Sequence, residues 1–343
     1  MFSIAQPSDK QQVIDLWKIA FGDSDDFIRL FFDRVYRDEQ TYVIRQNGQV
    51  VSALQILPYD MAFCGGTISA GYICGVSTLP SERGKGLMSK LMYQALEAMG
   101  QQGYDIAILI PATPSLFDLY GRFDFVSTFD YMLEDIQADS SVITGRNSVD
   151  IIEIKDFNKF EINQVSFNQL FTYYHAKQLQ RQDSILHNAY QFEIICQDRW
   201  LGDAEIWVAT ENKQLTGLAL TDPISNDIIS IREIIGDNEI VKNQLVQSIL
   251  NIHGLQRAKL RVPTTQSQSV TYQSDNDLHV LTSSFSIPYG MARIINKNKM
   301  IDLWQSFNHA LLPSDCKSAG TASLTQKLLL DHFHPPYMNL MLD

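Results

Sequence analysis

Residues 76–88 read VSTLPSERGKGLM, and this stretch constrains the fold of the chain more than any other. It follows the apolar run TISAGYIC and precedes a helical stripe made of Met88, Leu91, Met92, Ala95 and Met99. Two glycines flank a lysine at the junction, so a strand passes into a helix through a tight turn. Such a turn leaves backbone N–H groups exposed at the positive end of the helix, where phosphate is attracted. The segment is therefore either a plain turn or an anion cradle. It lacks the GKS or GKT ending of a nucleotide P-loop and the GxGxxG of a dinucleotide fold.

The neighbouring segments set the context. SDKQQVIDLWKIAFG predicts a helix with Val13, Leu16, Trp17 and Phe21 on one face and Ser8 or Asp9 as its cap. The apolar-rich DDFIRLFFDRVY follows, and then the period changes. TYVIRQ and QVVSALQILPYDMAF read as strands joined at Asn47-Gly48, with a third strand, TISAGYICGVSTL, after Gly65-Gly66. Beyond the helical stripe, which stops at Gly100 and Gly103, YDIAILIPA is a buried strand. The result is an α+β layout with mixed, mostly antiparallel strands and flanking helices.

From about residue 150 the order begins again. A helical NQVSFNQLFTYYHAKQLQRQ precedes a hairpin at Asn212-Lys213, the strand DIISIREIIG, the helix VKNQLVQSILNIHG and the strand AKLRVP. An internal duplication is expected, with domains at 1–135 and 150–284 and a short region at 285–343. Where the first copy has ERGKGLM the second has GDNEIVK, whose Asp237 and Glu239 repel phosphate. The last region is too short for a core of its own, so its apolar end, YMNLML, is expected to pack on another part of the chain.

With 343 residues, a net charge of -12 and pI near 5.0, the chain is poorly suited to nucleic acid or an anionic membrane as its main partner. Cys64, Cys74, Cys196 and Cys316 have no CxxC spacing, and His332 and His334 lack a third ligand, so no metal is expected. No signal peptide or spanning run is legible, and a cytoplasmic protein is expected.

The segment GVSTLPSERGKGLMSKLM resembles the pyrophosphate-binding motif of the GNAT superfamily of N-acetyltransferases. That resemblance implies acetyl-coenzyme A as co-substrate. It assigns the coenzyme to Val76, Ser77 and Thr78 along the strand and to Arg83, Gly84, Lys85, Gly86, Leu87 and Met88 around the turn. GNAT loops usually end in glycine or alanine where Met88 stands. A bulky residue there, followed by LYGRFDF, is similar to the enhanced intracellular survival (Eis) type, which has tandem GNAT folds and a sterol-carrier-like C-terminal region. That region is much shorter in this chain.

The resemblance implies further roles. Tyr120, in LYGRFDF, corresponds to a tyrosine beside the coenzyme sulfur, whose phenol donates a proton to the departing thiolate; the alternative is a core tyrosine. Asp343 corresponds to the chain end whose α-carboxylate serves as base in the Eis type; the alternative is an ordinary packed terminus. Ser115 corresponds to a serine near substrate and coenzyme, or serves the turn after Pro114. The implied reaction is acetyl transfer to a primary amine, small-molecule or peptide, in a ternary complex. A non-catalytic acyl-coenzyme A sensor and an aminoacyl-transfer-RNA-dependent transferase are the rival readings. Eis-type assembly allows a homo-oligomer.

Overall fold

The computed structural model describes residues 2–138, 149–155, 165–181, 183–264, 278–283, 286–309, 318–330, 336–338 and 341. In chain order the first elements are β1 (Phe2–Ile4), α1 (Lys10–Phe21), α2 (Asp25–Leu30), β2 (Thr41–Gln46), β3 (Gln49–Phe63), β4 (Gly66–Thr78), α3 (Leu87–Gln101), β5 (Ile106–Leu109) and α4 (Ser115–Gly121). Then come β6 (Val126–Ala138), β7 (Asp150–Ile154), α5 (Phe167–Gln180), β8 (Ile185–Leu186), α6 (Ala189–Leu201), β9 (Ile206–Glu211), β10 (Gln214–Thr221), β11 (Ile228–Gly236), α7 (Glu239–His253) and β12 (Arg257–Pro263). The last are β13 (Leu278–Ser283), β14 (Ile287–Ile294), α8 (Lys297–Asn308) and α9 (Thr321–Leu330).

The chain divides into two compact units. Unit 1 comprises Met1–Phe129, Gln182–Ile185 and Tyr289–Pro336, and unit 2 comprises Asp130–Arg181, Leu186–Pro288 and Tyr337–Asp343. These units differ from the contiguous segments 1–135, 150–284 and 285–343 expected from the sequence. The reason is a long-range strand pairing: β14 lies antiparallel to β5, with Met291 opposite Leu109 and Ile294 opposite Ile106, which takes most of the last region into unit 1. The apolar chain end is buried, as expected, at Tyr337, Met338 and Met341.

Within unit 1 the strands run β1-β2-β3-β4-β5-β14, every neighbouring pair antiparallel except β4 and β5. The β2–β3 hairpin turns at Asn47 and Gly48, both at positive φ (50° and 80°), as its tight two-residue loop requires. The β3–β4 hairpin turns one residue earlier than expected, on Cys64 and Gly65 (φ 49° and 72°), and Gly66 already pairs with Phe63. Leu54 and Ile56 of β3 meet Leu91, Met92, Ala95 and Met99 of α3 in one core, so the helical stripe is the buried face.

Helix α1 buries Val13, Leu16 and Trp17 as its pattern predicts, but Phe21 is 38% exposed. Asp9 occupies the cap position without capping, because its buried carboxylate pairs with Arg45 and accepts from the Gln6 backbone N–H at 2.6 Å.

Within unit 2 the strands run β6-β12-β11-β10-β9-β7, with β13 also on β6. Again one pair, β11 with β12, is parallel and the rest antiparallel. Its core sets Val241, Leu245 and Ile249 of α7 against Ala219, Ile229 and Ala258 of the sheet. Among the described residues no helix is long and apolar enough to cross a membrane.

Candidate active site

Strand β4 is irregular where the chemistry was expected. Its register against β3 slips between Ala53↔Ser77 and Gln55↔Cys74, and Gly75, in the slip, takes φ +60°. This is a β-bulge, a device that bends a strand and re-aims its backbone groups. A Cβ on Gly75 would run into the Gln55 amide and lie 2.5 Å from the Trp17 ring. Glycine is therefore required twice, by conformation and by space.

Below the bulge β4 and β5 are parallel, from Ala70↔Ile106 to Tyr72↔Ile108. Strand β4 then runs on to Thr78 while β5 stops at Leu109, so the two part and open a splay. Val76 is half-buried there. The Ser77 hydroxyl donates to the Gly75 carbonyl at 3.1 Å, and the Ser77 carbonyl accepts from Ser52 Oγ at 2.8 Å. The Thr78 carbonyl accepts from Arg83 Nε at 3.2 Å.

The chain leaves the splay through a short turn, Pro80–Glu82, and enters α3. Gly84 and Gly86 sit in the left-handed region at φ +77° and +73°, with nothing near where a Cβ would be, so backbone conformation alone demands glycine. Gly86 is the N-cap of α3, no side chain caps the helix, and its first turn carries no acidic residue. The first-turn amides of Leu87 and Met88 have no intrahelical acceptor and point out at the positive end of the dipole. Arg83 and Lys85 are exposed beside them, Lys85 in a 2.9 Å ion pair with Glu82. The turn has the features of an anion cradle.

The corresponding end of α7 does not. There the Asn238 side chain accepts from Val241 N–H at 3.0 Å, and Glu239 opens the helix. One cap site is filled by the chain itself, and the other is open.

Tyr120 lies in the last turn of α4 and is 7% exposed. It joins the core that holds Leu91, Met92 and Ala95, against which Val76, Leu87 and Met88 also pack, so the fold brings Tyr120 together with strand and turn residues. Burial pushes its phenol up to about 12, which keeps it protonated at neutral pH. Ser115 opens the same helix, exposed, with its Oγ 3.0 Å from Thr113 Oγ1. Asp343 lies outside the described residues, as do His332, His334 and Cys316.

Residues 2–127 match the family model described as "Acetyltransferase (GNAT) domain". By that match the segment is similar to GNAT acetyltransferase domains. An uncharacterized N-acetyltransferase of Streptomyces griseus is 33% identical over 79 residues, 23% of this chain and 18% of that protein. The chain thus spans under a fifth of the length of this curated relative. Two solved structures are similar in fold. A GCN5-related N-acetyltransferase from Anabaena variabilis superposes with a TM-score of 0.70 at 16% identity, over 88% of this chain and 74% of that one. Eis1 from Mycobacterium abscessus superposes at 0.66 with 11% identity, over 88% and 75%.

Two features of this segment escape sequence reasoning. Gln55 is fully buried, and among the described residues neither of its amide atoms has a hydrogen-bond partner. Trp17 donates its indole N–H to Asp23 at 2.7 Å on the same side of the bulge. The only sequence signal for the first was a glutamine interrupting the apolar run VVSALQIL. A groove of about 670 Å³ along α3, lined by Tyr93, Arg293 and Lys297 among others, involves none of these residues.

Proposed function

We propose that the chain is an acetyl-coenzyme A-dependent N-acetyltransferase acting on a primary amine. The observation that carries this reading is the uncapped N-terminus of α3 behind two left-handed glycines, set beside the splay of β4 and β5. The co-substrate supplies an activated acetyl thioester. Its pyrophosphate is held by the amides from Arg83 to Met88 and by the charges of Arg83 and Lys85. Its pantetheine follows Val76, Ser77 and Thr78 into the splay, with Ser115 beside it.

The bulge at Gly75 turns backbone groups toward the thioester carbonyl, where a positioned N–H stabilises developing negative charge. Tyr120 donates a proton to the departing thiolate, a role suited to a phenol that stays protonated. The amine attacks directly in a ternary complex, with the Asp343 α-carboxylate as base. Gln55, with its unused amide, and Asp23, near Trp17, receive the acceptor on the α1 side of the bulge. Unit 2 is read as a second, degenerate GNAT-like domain of the Eis type, because β9, β10, β11, α7 and β12 repeat the order of β2, β3, β4, α3 and β5. β14, α8 and α9 are the described part of a reduced sterol-carrier-like region.

The test follows release of coenzyme A thiol from acetyl-coenzyme A across a panel of small amines and lysine peptides, with binding measured in parallel. Amine-dependent turnover that disappears when the last residues are deleted supports both the activity and the terminal base. Tight coenzyme binding with no turnover on any amine would replace this reading by a non-catalytic sensor.

A further inference from the structure

Unit 2 holds a cavity that neither the anion-loop comparison nor the acetyl-transfer reading explains. It opens where β11 and β12 part: their parallel pairing runs from Ile228↔Arg257 to Ile231↔Leu260 and stops. The next residues of both strands, Glu233 and Arg261 among them, line a space of about 300 Å³. Met132, Val246 and Val262 give it an apolar wall.

The polar part of the lining is unusual in amount and in balance. Arg181 pairs with Glu233 at 2.6 Å beneath the Tyr337 ring, 5.0 Å from the guanidinium. Arg261 lies over the Tyr131 ring at 3.9 Å, and Lys242 pairs with Glu239 at 2.6 Å. With Glu134, which also lines the cavity, three cations face three carboxylates around one space. Glu134 is 4%, Glu233 2% and Arg261 9% exposed. Withdrawing the buried ions of this set from water is unfavourable before pairing offsets it, and apolar residues would fill the same volume with less penalty.

Asn243 supplies a second, independent observation. It lines the cavity from the second turn of α7, is 8% exposed, and its Nδ2 has no hydrogen-bond partner among the described residues. Buried donors in native proteins are seldom left unused. An acceptor oxygen placed in the cavity would satisfy it.

We propose that this cavity is a binding site for a small zwitterionic metabolite of the free α-amino acid class. The ligand's carboxylate accepts from Asn243 Nδ2, its ammonium faces the buried carboxylates Glu134 and Glu233, and its side chain lies on Met132, Val246 and Val262. Charge decides the class. Three and three leave the site without net charge, which favours a ligand that carries both signs over a polyphosphate or a polyamine. Glu239 and the filled cap at Asn238 turn a phosphate away from the mouth. A volume near 300 Å³ is at the small end of ligand sites and suits a molecule of this size.

The experiment is calorimetric titration of the full chain with each standard amino acid up to about 10 mM, alongside thermal unfolding, which a ligand of the native state raises by mass action. Expected is binding of a subset with apolar side chains, weakened at least about tenfold in Asn243→Leu, while acetyl-coenzyme A still binds one per chain. A second variant, Val246→Trp, fills the cavity without touching the polar set and is expected to abolish binding, which keeps the test open if Asn243→Leu fails to fold. Absence of binding by every amino acid, or binding indifferent to both variants, would overturn the proposal. So would a second equivalent of acetyl-coenzyme A lost in Val246→Trp, which would make the cavity a coenzyme site instead.

Discussion

Tyr120 and Gly75 carry the sharpest expectations at the scale of single residues. Replacing Tyr120 by phenylalanine keeps the buried ring in its core and removes only the hydroxyl. The expected result is a fall in kcat of about a hundredfold or more with the Kd for acetyl-coenzyme A nearly unchanged, measured by steady-state kinetics and calorimetry. Because burial lifts the phenol to about 12, the proposed acetyl transfer should show no alkaline loss from this group below about pH 10. Gly75→Ala tests the bulge: with φ at +60° and Gln55 and Trp17 in the way, even a methyl group forces a shift. A loss of about 2 kcal/mol or more is expected from strain and overpacking, read by urea unfolding, together with loss of turnover.

Helix ends set the expectations at the scale of elements. α3 and α7 both have fifteen residues and both follow the second member of a hairpin pair, yet one begins at an uncapped glycine and the other at a capping asparagine. Asn238→Ala should cost about 1 kcal/mol of stability and leave acetyl-coenzyme A binding untouched. Gly86→Ala should cost about as much, through its positive φ, but weaken coenzyme binding at least about tenfold because the first-turn amides lose their aim. Equal effects of the two substitutions on binding would remove the anion cradle from α3.

At the scale of the whole molecule, two buried groups, one in each unit, respond to pH in opposite senses. Asp183, in unit 1, is 5% exposed, and burial raises its carboxyl from 3.8 to about 7. A raised carboxyl favours the folded state while protonated, so its contribution is full below pH 3.8 and lost as pH rises through 7. His187, in unit 2, is buried and pushed from 6.5 down to about 3, with Tyr174 Oη 3.0 Å and Gln178 Nε2 2.9 Å from Nδ1. A lowered imidazole favours the folded state while neutral, so its contribution is full above 6.5 and lost as pH falls toward 3. Asp183→Asn is expected to gain stability relative to the native chain by a few kcal/mol as pH rises from about 4 to 7, in denaturant titrations at each pH. The His187 imidazole should stay neutral at about pH 5 by NMR.

Short periodic patterns carried much of this architecture. The stripe from Met88 to Met99, the turn at Asn47-Gly48 and the strands they join are legible because helix and strand periods are local properties. The junction at Arg83–Met88 is legible for the same reason, since left-handed glycines and a helix start depend on a few adjacent residues. What the tertiary structure decided is everything that depends on chain segments meeting from afar. β14 adds to β5 across an intervening unit, which no local pattern announces. Asp9 looks like a cap and is claimed by Arg45, thirty-six positions away. Gln55 becomes an orphaned amide only because β4 bulges at Gly75 and α1 covers it. The charge-balanced cavity draws on residues from 132 to 337. The sequence by itself determined which elements form and where a phosphate could be held; packing decided which side chains lose water together, and burial is what gives them perturbed acidity and unused hydrogen bonds.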